Sequence, residues 1–488
     1  MYLVLNNRSF QYETENLLRV FFVNENIVLS DAPIPGENGV NAFADKKTIS
    51  VRLILNSKEY ASEDSVDFSL MNEEDTETGY TERKLELMLF ELLKSATGYT
   101  PSWGILTGVR PAQLMTRLVE KFGKKQAFSY FVDELQVSPK KASLALSVAE
   151  TEKPIIDMSD EKSFSLYISI PFCPTRCSYC SFVSHSNEKA KKLIPDYVRL
   201  LCREIEYTGK IVKQLGLRLE SVYMGGGTPT ALDADSLKTV TDAICDHFDL
   251  SCCREFTIES GRPDSITEEK LLIIKNCGAE RISINPQTFN DDVLREIGRR
   301  HSSQMTTDSM LLARKCGFDN INMDIIAGLP TDTLESFENT VDKVLSFSPE
   351  NITVHTLALK RSSSLVTEDK ARGDGETADK MLTIASEKLT GNGYIPYYMY
   401  RQSKCLGNLE NVGWAKKGRE CLYNVFMMEE CHTVIAVGAG AVTKLKNPYG
   451  NEIERIFNYK YPYEYISNFS EIEKRKDRII TFYRDLNL

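Results

Sequence analysis

Apolar residues follow two alternating patterns along most of the chain from about residue 160 onward. Short apolar runs with the composition of buried strands are separated by longer stretches in which apolar residues return every three or four positions. Strands that alternate with amphipathic helices predict βα units around a parallel sheet. The predicted strands are Leu166–Ile170, Ser221–Met224, Glu255–Ile258, Arg281–Ile284, Asn320–Ile325 and Asn351–Ala358, and the predicted helices between them are Pro195–Leu215, Asp235–His247, Glu268–Cys277, Asp308–Cys316 and Thr333–Ser346.

These six predicted strands fall two short of a complete (β/α)8 barrel. The predicted fold class is therefore α/β, with a partial (β/α)6 barrel of the TIM type at its centre. Functional side chains in such barrels lie at the carboxyl ends of the strands. Polar residues and glycines at these positions are the candidates for chemistry.

The first 155 residues have a less regular pattern, in which strand-like and helix-like runs alternate. From Pro111 to about Glu150 the pattern is helical, with breaks near Gly123 and Ser138. The strand-like runs are Tyr2–Leu5, Ile27–Leu29 and Ile49–Leu55, and the helix-like runs are Tyr12–Val23 and Glu82–Ser95.

The change of pattern predicts three regions in the chain. Residues 1–155 form an α+β module of unknown role, residues 160–370 form the barrel, and residues 371–488 form a C-terminal extension that covers the substrate. The segment Trp103–Pro111 has the glycines and the proline of a shaped turn before a helix. It is either a structural loop or a site at which Arg110 meets a carboxylate.

Composition and charge narrow the classes of function. The chain has 488 residues, a net charge of −10 and a pI near 5.4, which argues against a dominant nucleic-acid or membrane-surface role. It contains no apolar run long enough to cross a membrane, and its first residues do not resemble a signal peptide. The twelve cysteines are therefore expected to stay reduced in a cytoplasmic protein.

Three of these cysteines form the run Cys173-Pro-Thr-Arg-Cys177-Ser-Tyr-Cys180, directly after the first predicted barrel strand. Cysteine thiolates are the usual ligands of iron–sulfur clusters. Three thiolates leave one iron of a four-iron cluster without a protein ligand. An open coordination position is typical of a catalytic metal centre.

Further candidates follow the next strands. Met224-Gly-Gly-Gly-Thr-Pro229 is either a tight turn or a place where backbone groups approach a ligand closely. Polar residues end or follow the later strands, and a carboxylate among them could accept hydrogen bonds from an ammonium or a ribose. They are Glu259, Gln287, Arg299 and Asp324.

The order of these motifs resembles the radical S-adenosylmethionine (SAM) superfamily, and within it the oxygen-independent coproporphyrinogen III oxidase family. The resemblance covers about residues 160–445 and includes Gln287-Thr-Phe-Asn and Asp324-Ile-Ile-Ala-Gly-Leu-Pro. The chain is most similar to the HemZ-type coproporphyrinogen dehydrogenases, because it has an N-terminal module with Thr-Gly-Val-Arg-Pro and a C-terminal segment at Tyr398–Gly413.

The resemblance implies a 4Fe-4S cluster, with SAM bound to its open iron. It further implies decarboxylation of two propionates of coproporphyrinogen III to vinyl groups, and a low-potential electron donor of the flavodoxin or ferredoxin class. The substrate's carboxylates need cations, for which Arg262, Arg300 and Arg401 are candidates. The implied cluster ligands are Cys173, Cys177 and Cys180, and the implied SAM contacts are Tyr167, Tyr179, Gly226, Gly227, Thr228, Glu259, Gln287, Arg299, Asp324, Ala358 and Val442.

Some alternatives stay open at this point. The best-known oxidase has a further cysteine just after its cluster motif, whereas Cys180 is followed here by Ser181 and Phe182. With His185, the three cysteines could instead form a zinc site. A haem chaperone or a haem methyltransferase of the same superfamily is also possible, although Tyr423 replaces the histidine that such chaperones typically carry. The oligomeric state is not indicated.

Overall fold

The structure, a computed structural model, forms two compact units. Unit 1 comprises Met1–Leu146, Asp374–Asp379 and Arg401–Glu410, and unit 2 comprises the rest of the chain. The described residues are 1–23, 25–71, 76–108, 110–180, 185–186 (backbone only), 191–358, 374–402 and 404–488. The predicted regional boundaries at residues 155–160 and 370–371 stay a prediction.

Unit 1 contains a five-stranded sheet in the order β2-β1-β3-β4-β5. Alternate residues of the strand Thr48–Leu55, which lies next to the edge strand, are buried as the period-2 pattern requires: Ile49, Val51 and Leu53. Its strands are β1 (Tyr2–Leu5), β2 (Val28–Leu29), β3 (Gly39–Ala44), β4 (Thr48–Leu55) and β5 (Lys58–Ser65), and its helices are α1 (Gln11–Phe21), α2 (Glu77–Thr97), α3 (Pro111–Phe122), α4 (Lys124–Ser129) and the first part of α5 (Pro139–Ile156).

The segment Trp103–Pro111 lies in unit 1, where Pro111 occupies the first position of α3. Arg401, far away in sequence, donates to the carbonyl oxygens of Leu106 at 2.6 Å and Gly108 at 3.2 Å. Its guanidinium lies 5.3 Å from the centre of the Trp103 ring. Arg401 therefore holds the turn in shape, and the hypothesis that Arg110 meets a carboxylate stays a prediction.

Unit 2 is built on one large sheet with the order β14-β15-β13-β12-β11-β10-β9-β6-β16-β17-β18. Its strands are β6 (Ser163–Ile170), β9 (Arg218–Gly226), β10 (Glu255–Glu259), β11 (Arg281–Ser283), β12 (Ile321–Ala327), β13 (Asn351–Thr356), β14 (Ile395–Arg401), β15 (Glu410–Ala415), β16 (Thr433–Val437), β17 (Val442–Lys446) and β18 (Ile453–Phe457), with β7 (Phe172–Cys173) and β8 (His185–Ser186) as a separate pair. Its helices are the second part of α5, α6 (Ile194–Leu215), α7 (Ala234–His247), α8 (Glu268–Asn276), α9 (Asp291–Glu296), α10 (Ser303–Lys315), α11 (Leu334–Ser346), α12 (Gly375–Gly391), α13 (Leu422–Glu429), α14 (Pro462–Ser467) and α15 (Phe469–Asp485).

The six strands β6, β9, β10, β11, β12 and β13 lie side by side in chain order, and every neighbouring pair is parallel. Long helices connect them. This is the arrangement that the alternating pattern predicts, and it confirms the partial barrel. Strand β16 adds a further parallel strand beside β6, and β15 pairs antiparallel with β13. Among the described helices, none is long and apolar enough to cross a membrane.

Candidate functional site: the cysteine loop and the strand ends

The glycine segment, residues 225–227 at the end of β9, lies against the strand that leads to the first cysteine. The amide of Gly227 donates to the carbonyl oxygen of Ile170, and the amide of Thr228 donates to that of Phe172, both at 2.7 Å. A Cβ atom on residue 227 would lie 2.5 Å from the Phe172 oxygen. Glycine is therefore required for this close approach, which sets the start of the cysteine loop.

The middle of the cysteine loop is held by a buried arginine. Arg262, which is 3% exposed, donates from Nη2 to Oγ1 of Thr175 at 2.9 Å. Its Nη1 lies 3.4 Å from Sγ of Cys177. The first cysteine of the loop, Cys173, lies with Sγ 3.6 Å from Oγ1 of Thr228. The loop thus has its shape fixed from two neighbouring strands.

A second buried arginine fixes the end of the loop. Arg299 donates to the hydroxyl of Tyr179 at 3.0 Å and to the carbonyl oxygen of Asn285 at 2.9 Å. The amide of Ser178 donates to the carbonyl oxygen of Ile297 at 3.0 Å. Two residues implied as SAM contacts, Tyr179 and Arg299, are therefore in direct contact.

The donor set of this loop fits an iron–sulfur cluster. The loop supplies three cysteines, and the Cys177 sulfur lies beside the buried guanidinium of Arg262; a thiolate beside a cation suits a cluster that carries negative charge. The described side chains do not already form a metal-binding group, since no three His, Cys, Asp or Glu residues among them are arranged to hold an ion.

Gln287 has a backbone conformation that is unusual for its residue type. Its φ of 66° lies in the left-handed region, while its backbone pairs with β12 through the carbonyl of Asp324 and the amide of Ile326. Strained conformations of this kind cluster at binding sites. Its side chain is buried, and its Oε1 has no hydrogen-bond partner in the described part of the chain.

Other buried polar atoms near these strand ends also lack a partner among the described residues. Buried polar groups are almost always hydrogen-bonded, so a row of unsatisfied ones is a sign of a polar ligand. A ligand with amino, carboxylate and hydroxyl groups, such as SAM, would satisfy them. The atoms are Oγ of Ser260, Oγ of Ser283, Oδ1 of Asn285 and Oε1 of Gln287.

Three tyrosine rings form a layer beside these residues, which we call the tyrosine layer: Tyr167, Tyr223 and Tyr423. The rings of Tyr223 and Tyr423 are stacked with centroids 4.5 Å apart. The Tyr167 ring lies 6.3 Å and 6.0 Å from them, and all three planes agree within 22°. The hydroxyl of Tyr423 is buried and has no partner in the described residues.

Glu259 lies between the tyrosine layer and the glycine segment. Tyr223 donates to its Oε1 at 2.5 Å, and a Cβ atom on Gly225 would lie 2.9 Å from its Oε2. Burial raises the pKa of Glu259 to about 7; the Tyr223 hydrogen bond opposes this rise and the charge of Asp324 adds to it. The carboxyl group can therefore gain or lose a proton near neutral pH.

Asp324 forms an ion pair with His355 on the neighbouring strand. Its Oδ2 lies 3.7 Å from Nε2 of His355, and Asn322 donates to its Oδ1 at 2.7 Å. Burial alone would raise the pKa of Asp324, but the hydrogen bond and charge of His355 outweigh it, so this pKa is lowered. Burial likewise lowers the pKa of His355, and Asp324 outweighs that effect, so this pKa is raised.

The remaining predicted residues lie as follows. Ala358 comes just after β13, and Val442 is the first residue of β17. Arg300 is exposed, and Arg401 lies in unit 1, where it donates to backbone carbonyl oxygens. Only the backbone of His185 is described, and Ser181 and Phe182 lie outside the described residues.

The sequence patterns did not identify Tyr223 or His355 as site residues. Tyr423 was noted only because it stands where haem chaperones of the superfamily typically carry a histidine. Tyr223 and His355 carried a signal, since each lies close to the end of a predicted barrel strand. Tyr423 lies on helix α13, far along the chain, and only the tertiary fold brings it to the other two rings.

The partial barrel, the glycine contact and the polar strand ends define a radical SAM protein, and residues 167–344 match the Radical SAM superfamily. Among solved structures, coproporphyrinogen III oxidase (HemN) from Escherichia coli, a radical SAM enzyme, has the same fold. The TM-score is 0.52 at 22% identity, covering 67% of this chain and 73% of HemN.

The chain is 35% identical to the oxygen-independent coproporphyrinogen-III oxidase-like protein HemZ of Bacillus subtilis, over 80% of this chain and 79% of HemZ. It is 31% identical to the heme chaperone HemW of the same species, over 61% of this chain and 77% of HemW. The chain belongs to the radical SAM family of oxygen-independent coproporphyrinogen-III oxidase-like proteins. Its cofactors are a 4Fe-4S cluster and SAM.

Proposed function

We propose that the protein is an oxygen-independent coproporphyrinogen III oxidase, which converts two propionate groups of the macrocycle to vinyl groups. The likeness to HemZ across most of both chains supports the tetrapyrrole substrate. When bound, the cluster and SAM supply the one-electron chemistry that removes a hydrogen atom from each propionate. A low-potential flavodoxin or ferredoxin is the proposed electron donor, and the cytoplasm is the proposed location.

The observation that carries this proposal is the tyrosine layer beside Glu259. Its three nearly parallel rings stack on one another, and a wall of aromatic rings of this kind suits a planar or macrocyclic ligand. Glu259 also borders the glycine segment, so the layer lies next to the cysteine loop rather than elsewhere on the barrel. A macrocycle placed there would have its side chains close to the cofactors.

The residue roles follow from the same geometry. In this proposal the cysteine loop holds the cluster, and the buried polar strand ends hold SAM. Glu259 and the pair Asp324–His355 bind hydroxyl and amino groups, and Arg299 orients Tyr179. The cluster ligands are Cys173, Cys177 and Cys180, and the SAM contacts are Tyr167, Tyr179, Gly226, Gly227, Thr228, Glu259, Gln287, Arg299, Asp324, Ala358 and Val442.

An anaerobic assay with a reductant, SAM and coproporphyrinogen III tests the proposal. We expect mass spectrometry to show a product that has lost two CO2 units, together with deoxyadenosine. The Cys177→Ala variant should form neither, because it lacks one cluster ligand. Deoxyadenosine formed without any change in the porphyrinogen would overturn the substrate assignment and keep the superfamily assignment.

A second candidate function is haem binding as a chaperone, and the 31% identity to HemW favours it. The two functions differ in turnover. A chaperone should form a stable haem complex, seen as a Soret band that persists through gel filtration, and should leave coproporphyrinogen III unchanged. Decarboxylation in the same preparation would decide for the oxidase.

A further inference from the structure

Arg262 makes an unusual set of contacts for a buried arginine in this barrel. It follows β10 in the segment Glu259-Ser-Gly-Arg262-Pro-Asp264, and its side chain is 4% exposed. A buried guanidinium group needs both a counter-charge and hydrogen-bond acceptors. The structure supplies them from two places, its own segment and the cysteine loop.

The first set of contacts comes from Asp264. Nε and Nη2 of Arg262 donate to the two carboxylate oxygens at 2.9 Å and 2.8 Å, a bidentate pair that fixes the plane of the guanidinium. Asp264 therefore supplies the counter-charge that a buried guanidinium needs. The remaining N–H groups of Arg262 are then oriented by this pair.

The second set of contacts comes from the cysteine loop. Nη2 donates to Oγ1 of Thr175 at 2.9 Å, and Nη1 lies 3.4 Å from the carbonyl oxygen of Thr175 and 3.4 Å from Sγ of Cys177. The sulfur distance is within the range of an N–H···S hydrogen bond. Arg299, another buried arginine nearby, instead donates to oxygen atoms, those of Tyr179 and Asn285.

We propose that Arg262 is a positioning residue for Cys177 that also makes the cluster easier to reduce. Hydrogen bonds to cluster sulfurs and nearby charge are among the factors that set the reduction potential of an iron–sulfur cluster. A hydrogen bond to the Cys177 sulfur withdraws negative charge from the thiolate, so the extra electron of the reduced cluster is better accommodated. Partners of this kind commonly tune metal ligands from outside the ligand set.

The inference depends on the radical SAM cofactor and not on the identity of the substrate. The role of Arg262 can therefore be wrong while the proposed function is right. It can also be right if coproporphyrinogen III is not the substrate. The readout is the midpoint potential of the reconstituted cluster, measured by electron paramagnetic resonance during an anaerobic redox titration without substrate.

Two substitutions test the proposal in opposite directions. Arg262→Gln removes the charge and the donor to sulfur, so the midpoint potential should become more negative. We expect at least a tenfold lower ratio of reduced to oxidised cluster at a fixed potential, equivalent to about 59 mV for one electron. Asp264→Asn removes the balancing carboxylate and keeps the guanidinium, so the potential should become more positive.

Arg199→Gln is the matched control, because it removes an exposed arginine from helix α6, where the side chain is 64% exposed. Its midpoint potential should equal that of the wild type. If Arg262→Gln loses the cluster, the Asp264→Asn variant, which is nearly isosteric, still decides the question. A potential for either variant that matches both the wild type and Arg199→Gln overturns the proposal.

Discussion

At the scale of single residues, Glu259 gives the protein a pH-dependent stability. Its pKa is raised from the ordinary value of 4.5 to about 7, mainly by burial. Between these values the folded protein holds a proton that the unfolded chain has lost, so the free energy of unfolding falls as the pH rises. Relative to Glu259→Gln, the wild type should lose about 2 kcal/mol from pH 5 to pH 8, measured by anaerobic chemical denaturation.

Tyr223→Phe is the informative companion to this measurement. The Tyr223 hydroxyl lowers the pKa of Glu259, so its removal should move the loss of stability to higher pH. Parallel pH profiles for the wild type and Glu259→Gln would contradict the prediction.

At Gln287, backbone strain lowers stability while the buried side chain is expected to contribute to SAM binding. Its left-handed backbone conformation destabilises the folded protein by about 1 kcal/mol relative to glycine at the same position. In Gln287→Gly this relief offsets the lost side-chain contacts, so the free energy of unfolding should change by less than about 1 kcal/mol. The affinity of the cluster-loaded protein for SAM should fall roughly tenfold, because a buried hydrogen-bonding group is removed.

Thr331→Gly provides the control for this prediction in calorimetric titrations with SAM. Thr331 also has a left-handed backbone, with φ of 64°, but its side chain is exposed. It should show the same backbone effect and no loss of affinity. If both variants bind SAM with equal affinity, the proposal that Gln287 contacts SAM is wrong.

At the scale of elements, the sequence predicts the barrel well because each unit carries its own signal. The six predicted barrel strands correspond to β6, β9, β10, β11, β12 and β13, with ends that differ by a few residues. The sequence pattern does not predict strands β3, β5 and β14–β18; β5 is mostly polar, and charged residues interrupt the apolar runs of β17 and β18. Local periodicity carries no information about which distant strand they pair with.

The contact between the glycine segment and the cysteine loop is sensitive to small increases in side-chain size. A methyl group at Gly227 would lie 2.5 Å from the carbonyl oxygen of Phe172, so the two backbones must separate. Gly227→Ala should therefore destabilise the protein by about 1–3 kcal/mol and lower the iron content after reconstitution. Denaturation and iron analysis measure the two effects.

Gly391→Ala, at the end of α12, is the matched substitution in open space, with nothing within 4 Å of an added Cβ atom. It should change the free energy of unfolding by no more than about 0.5 kcal/mol and leave the iron content unchanged. A Gly227→Ala variant that behaves in the same way would show that the close approach is not needed.

At the scale of the whole molecule, the set of chain segments that make up unit 1 could not be predicted from the sequence. Its first 146 residues are joined by Asp374–Asp379 and Arg401–Glu410. The contacts that connect them include single polar side chains, such as Lys141 with Glu410, which lie 269 positions apart. An isolated lysine and an isolated glutamate form no periodic pattern, so the sequence predicts that each lies on the surface. Only the folded structure shows that both are buried.

The buried network around Glu410 yields the last prediction. Lys141 Nζ lies 2.6 Å from Oε1 of Glu410 and 3.0 Å from Oδ1 of Asp379, and Trp103 donates to the other Glu410 oxygen at 2.6 Å. The side chains of Lys141 and Glu410 are 8% and 2% exposed. Lys141→Met leaves the Glu410 charge buried without its cation, which should cost about 3–5 kcal/mol of unfolding free energy.

A double-mutant cycle separates this charge effect from lost packing. Glu410→Gln keeps an acceptor for Trp103 and removes the charge, so Lys141→Met combined with Glu410→Gln should be more stable than Lys141→Met alone by at least about 1 kcal/mol. Hydrogen exchange should show residues 401–410 opening together with the Trp103 segment in the single Lys141→Met variant and closing again in the double variant. Additive effects of the two substitutions would mean that the ion pair does not connect Arg401–Glu410 to the first 146 residues of unit 1.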